Sequence, residues 1–251
     1  MIVMGILNVT PDSFADGGRH NDFDSATARG LEMITEGVDI IDIGGESTKP
    51  GAERVPESEE FDRVIPVIKE LAKAGARISI DTMRASTAKA AIEAGAQIIN
   101  DVSGGLADPA MLTTAAQLDV PYIAMHWRGH SKDMNSRAHY GDVVKDVISE
   151  LQERVSAALD AGIKKDKLII DPGIGFAKDI HHNWEIIDSI DQFVALGYPV
   201  LVGGSRKRFL GGDNPDEREA ATIELTKRLS TSGIWGVRVH SVKPHKEVLK
   251  A

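Results

Sequence analysis

The chain has no cysteine among its 251 residues, which removes disulfides, thiol nucleophiles and zinc–sulfur centres from consideration. It has no excess of positive charge either. Its 29 Lys and Arg face 38 Asp and Glu, a net charge of −9, without the clustered basic face that a nucleic-acid partner requires. No apolar run approaches the roughly 18 residues of a membrane-spanning helix. The first apolar stretch is short, has no basic segment before it and runs straight into Asn8, so it does not read as a signal peptide. No Pro-, Gly- or Ser-rich linker, charge block or solenoid repeat divides the sequence. These absences predict a soluble, cytoplasmic protein of one domain over residues 1–251, without nucleic-acid or membrane partners.

What is present is a recurrent strand-then-helix unit. Eight short stretches rich in Ile, Val and Leu each end at a polar residue suited to chemistry. MIVMGILN ends at Asn8, VDIID at Asp42, RISID at Asp81, and QIIND at Asn100 and Asp101. VPYIAMH ends at His126, KLIID at Asp171, PVLVGGS at Ser205, and GVRVH at Arg238 and His240. Near-continuous apolar strands suit a parallel sheet covered on both faces. They are expected near 2–8, 38–43, 77–81, 97–101, 120–126, 167–171, 199–203 and 235–240. Helical patterns fill the gaps at 26–36, 61–74, 86–93, 109–118, 140–161, 182–190 and 216–230, with a short last one at 244–250. Gly37, Gly75, Gly95 and Gly162 are natural stops. On the first helix Ala28, Leu31, Ile34 and Thr35 form the expected inward stripe. A chain of about 250 residues built this way fits an α/β (β/α)8 barrel, whose active site lies at the C-terminal ends of the strands.

Asp81, Asn100 and Asp171 would then share the barrel mouth, offering acceptors and a donor to a flat heterocycle with an amino group and a ring N–H beside a carbonyl. Capping of the next helix is the bland reading of such residues, and Asp101, followed by Ser103 and Gly104, fits it better as a turn former. SRKRF (205–209) follows the seventh strand, where this fold often binds phosphate, so Lys207 and Arg206 are candidate anion ligands and Arg208 a solvated one. Arg238 and His240 lie two apart and point to one face, an oxyanion clamp or else a salt-bridged core Arg beside a packed His. His126 and His130 are four apart, but no Glu follows the first as in the helical zinc motif. His181 and His182 read as helix-start surface residues, and Trp127, Trp184 and Trp235 as packing. Two long loops, VTPDSFADGGRH and IGGESTKPGAERVPE, combine turn chemistry with reactive polar residues, as functional loops do.

MGILNVTPDSFADGG (4–18), DIGGESTKPGA (42–52), ISIDT (78–82), NDVSGG (100–105), MHWRG (125–129), DPGIGFAK (171–178), GGSRKRFLG (203–211) and VRVH (237–240) resemble the dihydropteroate synthase family in order and spacing. MHWRG with GVRVH is most similar to its actinobacterial branch. The resemblance implies a barrel transferase of folate synthesis that joins (7,8-dihydropterin-6-yl)methyl diphosphate to 4-aminobenzoate with Mg2+, and a target of sulfonamides, which mimic 4-aminobenzoate. It implies a pterin pocket of Asp81, Asn100, Asp171 and Lys207 lined by Met125, Phe176 and Gly203. It places Asn8 on the Mg2+, and Thr48, Arg238 and His240 on the diphosphate. Ser205, Pro50 and Phe14 fall around the aminobenzoate, with Arg206 and Lys49 nearby. Asp81, Lys207, Arg238 and His240 are the implied catalytic set. Lys49 stands where the family has Arg and loses the bidentate fork; Ser241 replaces an Asp in a structural position. The resemblance also implies a homodimer built on helices of the C-terminal end, which is shorter here. A catalytically silent pterin-binding paralogue and a pterin-dependent methyltransferase are the alternatives; the retained diphosphate loops argue against both.

Overall fold

The computed structural model describes residues 1–10, 19–47, 51, 53–130, 132 and 134–250. Eight parallel strands form the centre: β1 Ile2–Asn8, β2 Ile40–Gly44, β3 Ile78–Asp81, β4 Ile98–Asp101, β5 Tyr122–Met125, β6 Leu168–Asp171, β7 Leu201–Val202 and β8 Gly236–Val239. Their order is β6-β5-β4-β3-β2-β1-β8-β7. The remaining gap closes where Ile170 bridges Val200 and its N–H donates to the Pro199 carbonyl at 2.9 Å. The result is the (β/α)8 barrel that the strand pattern predicts. Expected and observed strands differ at their ends by one or two residues, which is how far a terminal pair can fray.

The strands are apolar throughout because both of their faces are covered. Inside the barrel, Met4, Ile40, Ile98, Ile123, Ile169 and Leu201 fill the lower layers, with Ile2 and Trp235 packed beneath them. Outside, residues such as Ile41, Ile43, Ile78, Ile80 and Ile99 meet the helices. Asn8, Asp81, Asp101 and Asp171 are the last residues of their strands, where the barrel opens, while Asp42 and Ser79 are buried polar residues within theirs.

The helices are α1 Arg19–Thr35, α2 Glu57–Lys73, α3 Ala85–Glu93, α4 Met111–Leu118, α5 Val143–Asp160, α6 Ile180–Asp188, α7 Ile190–Val194, α8 Glu219–Leu229 and α9 Lys243–Val248. The four glycine stops hold: Gly37, Gly75, Gly95 and Gly162 have φ of +82°, +82°, +118° and +99°, a region that favours glycine. Side-chain caps move two starts away from the expected ones. Asp142 accepts the Lys145 N–H at 3.1 Å and starts α5 at Val143. Asp179 accepts the His182 N–H at 2.8 Å, while His182 Nδ1 accepts the Asp179 N–H at 3.3 Å, a capping box that starts α6 at Ile180. The run expected as one helix to Ile190 breaks at Ser189, whose φ and ψ of −110° and 23° separate α6 from α7.

Of the stripe expected on α1 only Ile34 packs against the core; the other three positions are exposed. Leu31 is 43% exposed and Ala28 is exposed, whereas Ala26, Gly30 and Met33 face inward. The reason is the approach of α2. A Cβ on Gly30 would lie 2.4 Å from Leu71 Cδ1, so the helix pair packs through the one position without a side chain. Among the described residues, no helix is long and apolar enough to cross a membrane.

Candidate active site

The mouth is laid out by strand register. Asn8 pairs with Gly44, Gly44 with Asp81, and Asp81 with Asn100. Register partners on parallel strands share a face, so these positions form one row across four strands. Gly44 leaves the row open between Asn8 and Asp81. On the far side Met125 pairs with Asp171, and Met125, Met83 and Val102 form an apolar wall against which Phe176 and Trp127 pack.

Beneath the row lies a buried ion cluster. Arg238 reaches from β8 and donates through Nε to Asp42 Oδ2 at 2.6 Å and through a terminal nitrogen to Asp81 Oδ2 at 2.6 Å. Asn100 Nδ2 donates to the same Asp42 oxygen at 3.0 Å, which leaves the Asn100 carbonyl oxygen as an acceptor. Two carboxylates on one guanidinium leave a surplus negative charge at the floor. Burial pushes the Asp81 carboxyl up to about 7 against the pull of Arg238, so that surplus is complete only above this pH. Burial works against the Arg238 charge too, but Asp42 and Asp81 outweigh it and raise its pKa. Asp42 Oδ1 is buried with no partner among the described residues. Asp42 is the residue that reading the sequence leaves without a role. Its signal was the same one that marks Asp81 and Asp171, a carboxylate closing an apolar run.

Asp171 and Lys207 form the second half of the mouth. Asp171 Oδ1 accepts the Gly173 N–H at 2.7 Å, leaving Oδ2 for a ligand. Burial raises the Asp171 carboxyl, opposed by that bond and by Lys207. The Lys207 ammonium donates to the Ile174 carbonyl and lies 4.4 Å from the centre of the Phe176 ring. Burial draws it down to about 7, with Asp171 pulling the other way. Gly203 lines the same space, its Cα direction facing Asp171 Oδ2.

Ser205 and His240 meet at 2.9 Å across the seventh and eighth strand ends. Burial, followed by Arg238 and Arg206, drives the His240 pKa down to about 3, so its ring is neutral. The Ser205 hydroxyl accepts the His240 main-chain N–H at 3.2 Å and also meets Nδ1, a contact in which it is the donor in the tautomer that carries the ring proton on Nε2. Arg206 is turned towards α8, with Nε on Glu219 at 2.7 Å and a terminal nitrogen on Asp216 at 3.4 Å. Ser241 also donates to Glu219, as a structural residue would. Asp101 is the expected turn former: its oxygens accept the Ser103 N–H at 2.8 Å and the Gly105 N–H at 2.7 Å, and the Tyr122 hydroxyl at 2.7 Å.

Asn8 stands at the end of β1. Phe14, Thr48, Lys49 and Pro50 lie outside the described residues. Both flanks of the second long loop are tied down beside Asp81. Glu60, 1% exposed, accepts the Thr82 hydroxyl at 2.5 Å and the Arg84 guanidinium. Arg84 also holds Glu46 at 2.9 Å and the Val55 carbonyl at 2.5 Å. His126 is not poised as a metal ligand. Its Nε2 faces Glu150 at 2.9 Å and its Nδ1 faces the buried Lys178 ammonium at 2.9 Å. Burial and then Lys178 lower its pKa to about 4.

A barrel whose mouth pairs buried carboxylates and an amide with an apolar wall defines a class of enzyme that binds a flat polar ring. The family described as pterin binding enzyme matches residues 4–240. A dihydropteroate synthase of Mycobacterium leprae is 48% identical over 99% of this chain and 91% of its own. A Xanthomonas albilineans dihydropteroate synthase solved with 4-aminobenzoic acid superposes with a TM-score of 0.93 at 43% identity, covering 99% of this chain and 90% of that one. The same organism's enzyme in complex with 7,8-dihydropteroate superposes with a TM-score of 0.89 at 40% identity, over 99% and 91%. The chain belongs to the pterin binding enzymes, as a member of the dihydropteroate synthase family.

Proposed function

We propose that the mouth joins (7,8-dihydropterin-6-yl)methyl diphosphate to 4-aminobenzoate, giving 7,8-dihydropteroate and diphosphate. The observation that carries this reading is the placement of Asp171, Asn100 and Lys207 around the apolar wall of Met125 and Phe176. A pterin ring slides against that wall, and its amino and ring N–H groups find Asp171 Oδ2 and the Asn100 carbonyl. The C–O bond to diphosphate then breaks, its electron pair leaving with the phosphate oxygen, and the pterin methylene carries the positive charge. The surplus negative charge of the Asp42–Arg238–Asp81 cluster faces that charge; stabilisation of this kind is a large share of enzymatic rate enhancement. The aniline nitrogen of 4-aminobenzoate forms the new C–N bond and its proton passes to solvent.

Arg238 contributes positive charge to the departing diphosphate, and His240 contributes an Nε2–H hydrogen bond rather than charge because its ring is neutral. By the family resemblance Thr48 would join them, and Ser205, Pro50 and Phe14 would lie around the aminobenzoate with Lys49 nearby; Arg206 is held on Glu219 and Asp216 at its edge. Asn8 offers a hard side-chain oxygen at the row's edge, beside the space Gly44 leaves open. This fits Mg2+, which is usually held by one or two protein oxygens together with substrate phosphates. When bound there it neutralises phosphate charge. The family resemblance implies a cytoplasmic location and a homodimer built on C-terminal helices, and the short α9 Lys243–Val248 weakens the second of these.

The test is turnover of purified protein with both substrates and Mg2+, following release of 7,8-dihydropteroate. Product at a rate well above the buffer reaction is expected. Pterin binding by calorimetry without any product would instead identify a silent pterin-binding barrel.

A further inference from the structure

We propose that Lys178 is a positioning residue of the pterin pocket, whose ammonium, backed by His126 and Glu150, holds residues 172–177 in the shape that presents Asp171, Phe176 and Lys207 to the ring. The inference rests on the pterin site proposed above.

Lys178 is buried at the start of the segment before α6, and its Nζ has three partners. They are the Gly173 carbonyl at 3.0 Å, the Phe176 carbonyl at 3.0 Å and His126 Nδ1 at 2.9 Å. An ammonium has three N–H donors, so none is left for a substrate. This is why the role is positioning and not catalysis. Donation to Nδ1 places the imidazole proton on Nε2, which donates to Glu150 Oε2 at 2.9 Å. Glu150 in turn holds Arg128 Nε at 3.0 and 3.1 Å. The Arg128 guanidinium stacks 3.8 Å from the centre of the Tyr140 ring, and the Tyr140 hydroxyl donates to the Ala177 carbonyl at 2.9 Å. The circuit leaves the loop at Phe176 and returns to it at Ala177.

The loop needs that support. Gly173, Gly175 and Ala177 have φ of +68°, +77° and +48°, so every second residue is left-handed, and one of them is not glycine. Such residues persist where their surroundings over-determine them. The path is also tight: a Cβ on Gly173 would sit 2.5 Å from the His126 carbonyl oxygen, and one on Gly175 2.5 Å from Lys207 Cδ. The carbonyls of Gly173, Ile174 and Phe176 are all taken by ammonium groups, two by Lys178 and one by Lys207. Losing the Lys178 ammonium leaves the Phe176 carbonyl without its partner and the Gly173 carbonyl with only the Phe176 N–H at 3.0 Å, and the Phe176 wall and the Lys207 anchor shift together.

The experiment compares Lys178→Met, His126→Leu and His126→Asn in the full chain. Binding of 6-hydroxymethyl-7,8-dihydropterin is read by calorimetry, and KM for each substrate and kcat by turnover. Lys178→Met should weaken pterin binding, and raise the pterin diphosphate KM, by tenfold or more, while the aminobenzoate KM changes less than twofold. His126→Leu should do the same. His126→Asn, whose amide oxygen replaces Nδ1 as acceptor, should stay within threefold of the wild type. If Lys178→Met does not fold, the His126 pair decides alone. Folded Lys178→Met with wild-type pterin affinity, equal losses for both substrates, or His126→Leu matching His126→Asn would overturn the proposal. A wild-type protein that binds pterin without turnover overturns the proposed reaction instead, and leaves this inference to the calorimetry.

Discussion

Asp81 sits where two demands meet: it must accept Arg238 at 2.6 Å, and it must face the positive charge that forms when diphosphate leaves. A carboxylate about 4 Å from a unit positive charge is worth around 4 kcal/mol at an effective dielectric of 20, or roughly a thousandfold in rate. Asp81→Asn keeps the shape, and Arg238 keeps its bond to Asp42 at 2.6 Å. The variant should therefore fold normally while kcat falls by about a thousandfold. Single-turnover measurement on protein with an unchanged circular dichroism spectrum is the check; a loss below tenfold removes the electrostatic role. The residue scale also shows what a string of letters conceals. In the sequence Asp42 and Asp81 close their apolar runs in the same way, yet β2 continues to Gly44, so only Asp81 stands in the open row, while Asp42 is sealed below it as the anchor of Arg238 and Asn100.

Elements here pack through glycines of two kinds, and the difference is measurable. At Gly30 an added Cβ meets the end of the Leu71 side chain, which can turn aside. Alanine is also the better helix former by about 1 kcal/mol, so Gly30→Ala should cost about 1 kcal/mol or less once overpacking is offset. At Gly173 the obstacle is the His126 backbone oxygen, which cannot turn, and φ is +68°. Overpacking of about 1–3 kcal/mol adds there to a left-handed penalty of about 1–2 kcal/mol. Urea unfolding should rank Gly173→Ala as several-fold more costly than Gly30→Ala. Equal costs would show that the loop beside β6 is softer than its contacts imply.

At the scale of the molecule, burial of the histidines couples stability to pH. His126 and His240 have folded pKa values of about 4 and about 3, against 6.5 in the unfolded chain. The unfolded state binds more protons in that window, so the stability these two contribute is complete above pH 6.5 and is lost as pH falls towards 4 and then 3. Each group gives a slope of up to about 1.4 kcal/mol per pH unit. Lys178 and Lys207, lowered by burial to about 7, act in the same sense at higher pH: stability rises between pH 7 and 10.5 as the unfolded lysines lose their extra protons. Asp81 and Asp171, raised by burial, act in the opposite sense over the same range, so the check is a difference: in denaturant titrations from pH 6.5 to 5 the stability of His240→Asn should depend less on His protonation, its slope differing from the wild type's by about 1 kcal/mol per unit. Identical slopes would mean that His240 titrates alike in both states.

The strands, the barrel and the location of the mouth were legible in the chain because they depend on local pattern: apolar runs of strand length, a polar residue closing each, and glycine at four helix ends. Asp81, Asn100, Asp171, Lys207, Arg238 and His240 stand at strand ends or just beyond them for the same reason. Other features were decided only by the tertiary structure. Which face α1 buries depended on the absence of a side chain at Gly30 facing Leu71, a contact between elements that no single-helix periodicity encodes. The Arg238 bonds span 196 and 157 residues to Asp42 and Asp81, and Lys178 meets His126 across 52. Such pairings are set by strand register and by the way a closed barrel brings its ends together. Local sequence therefore wrote which residues reach the mouth, and long-range geometry determined which of them touch.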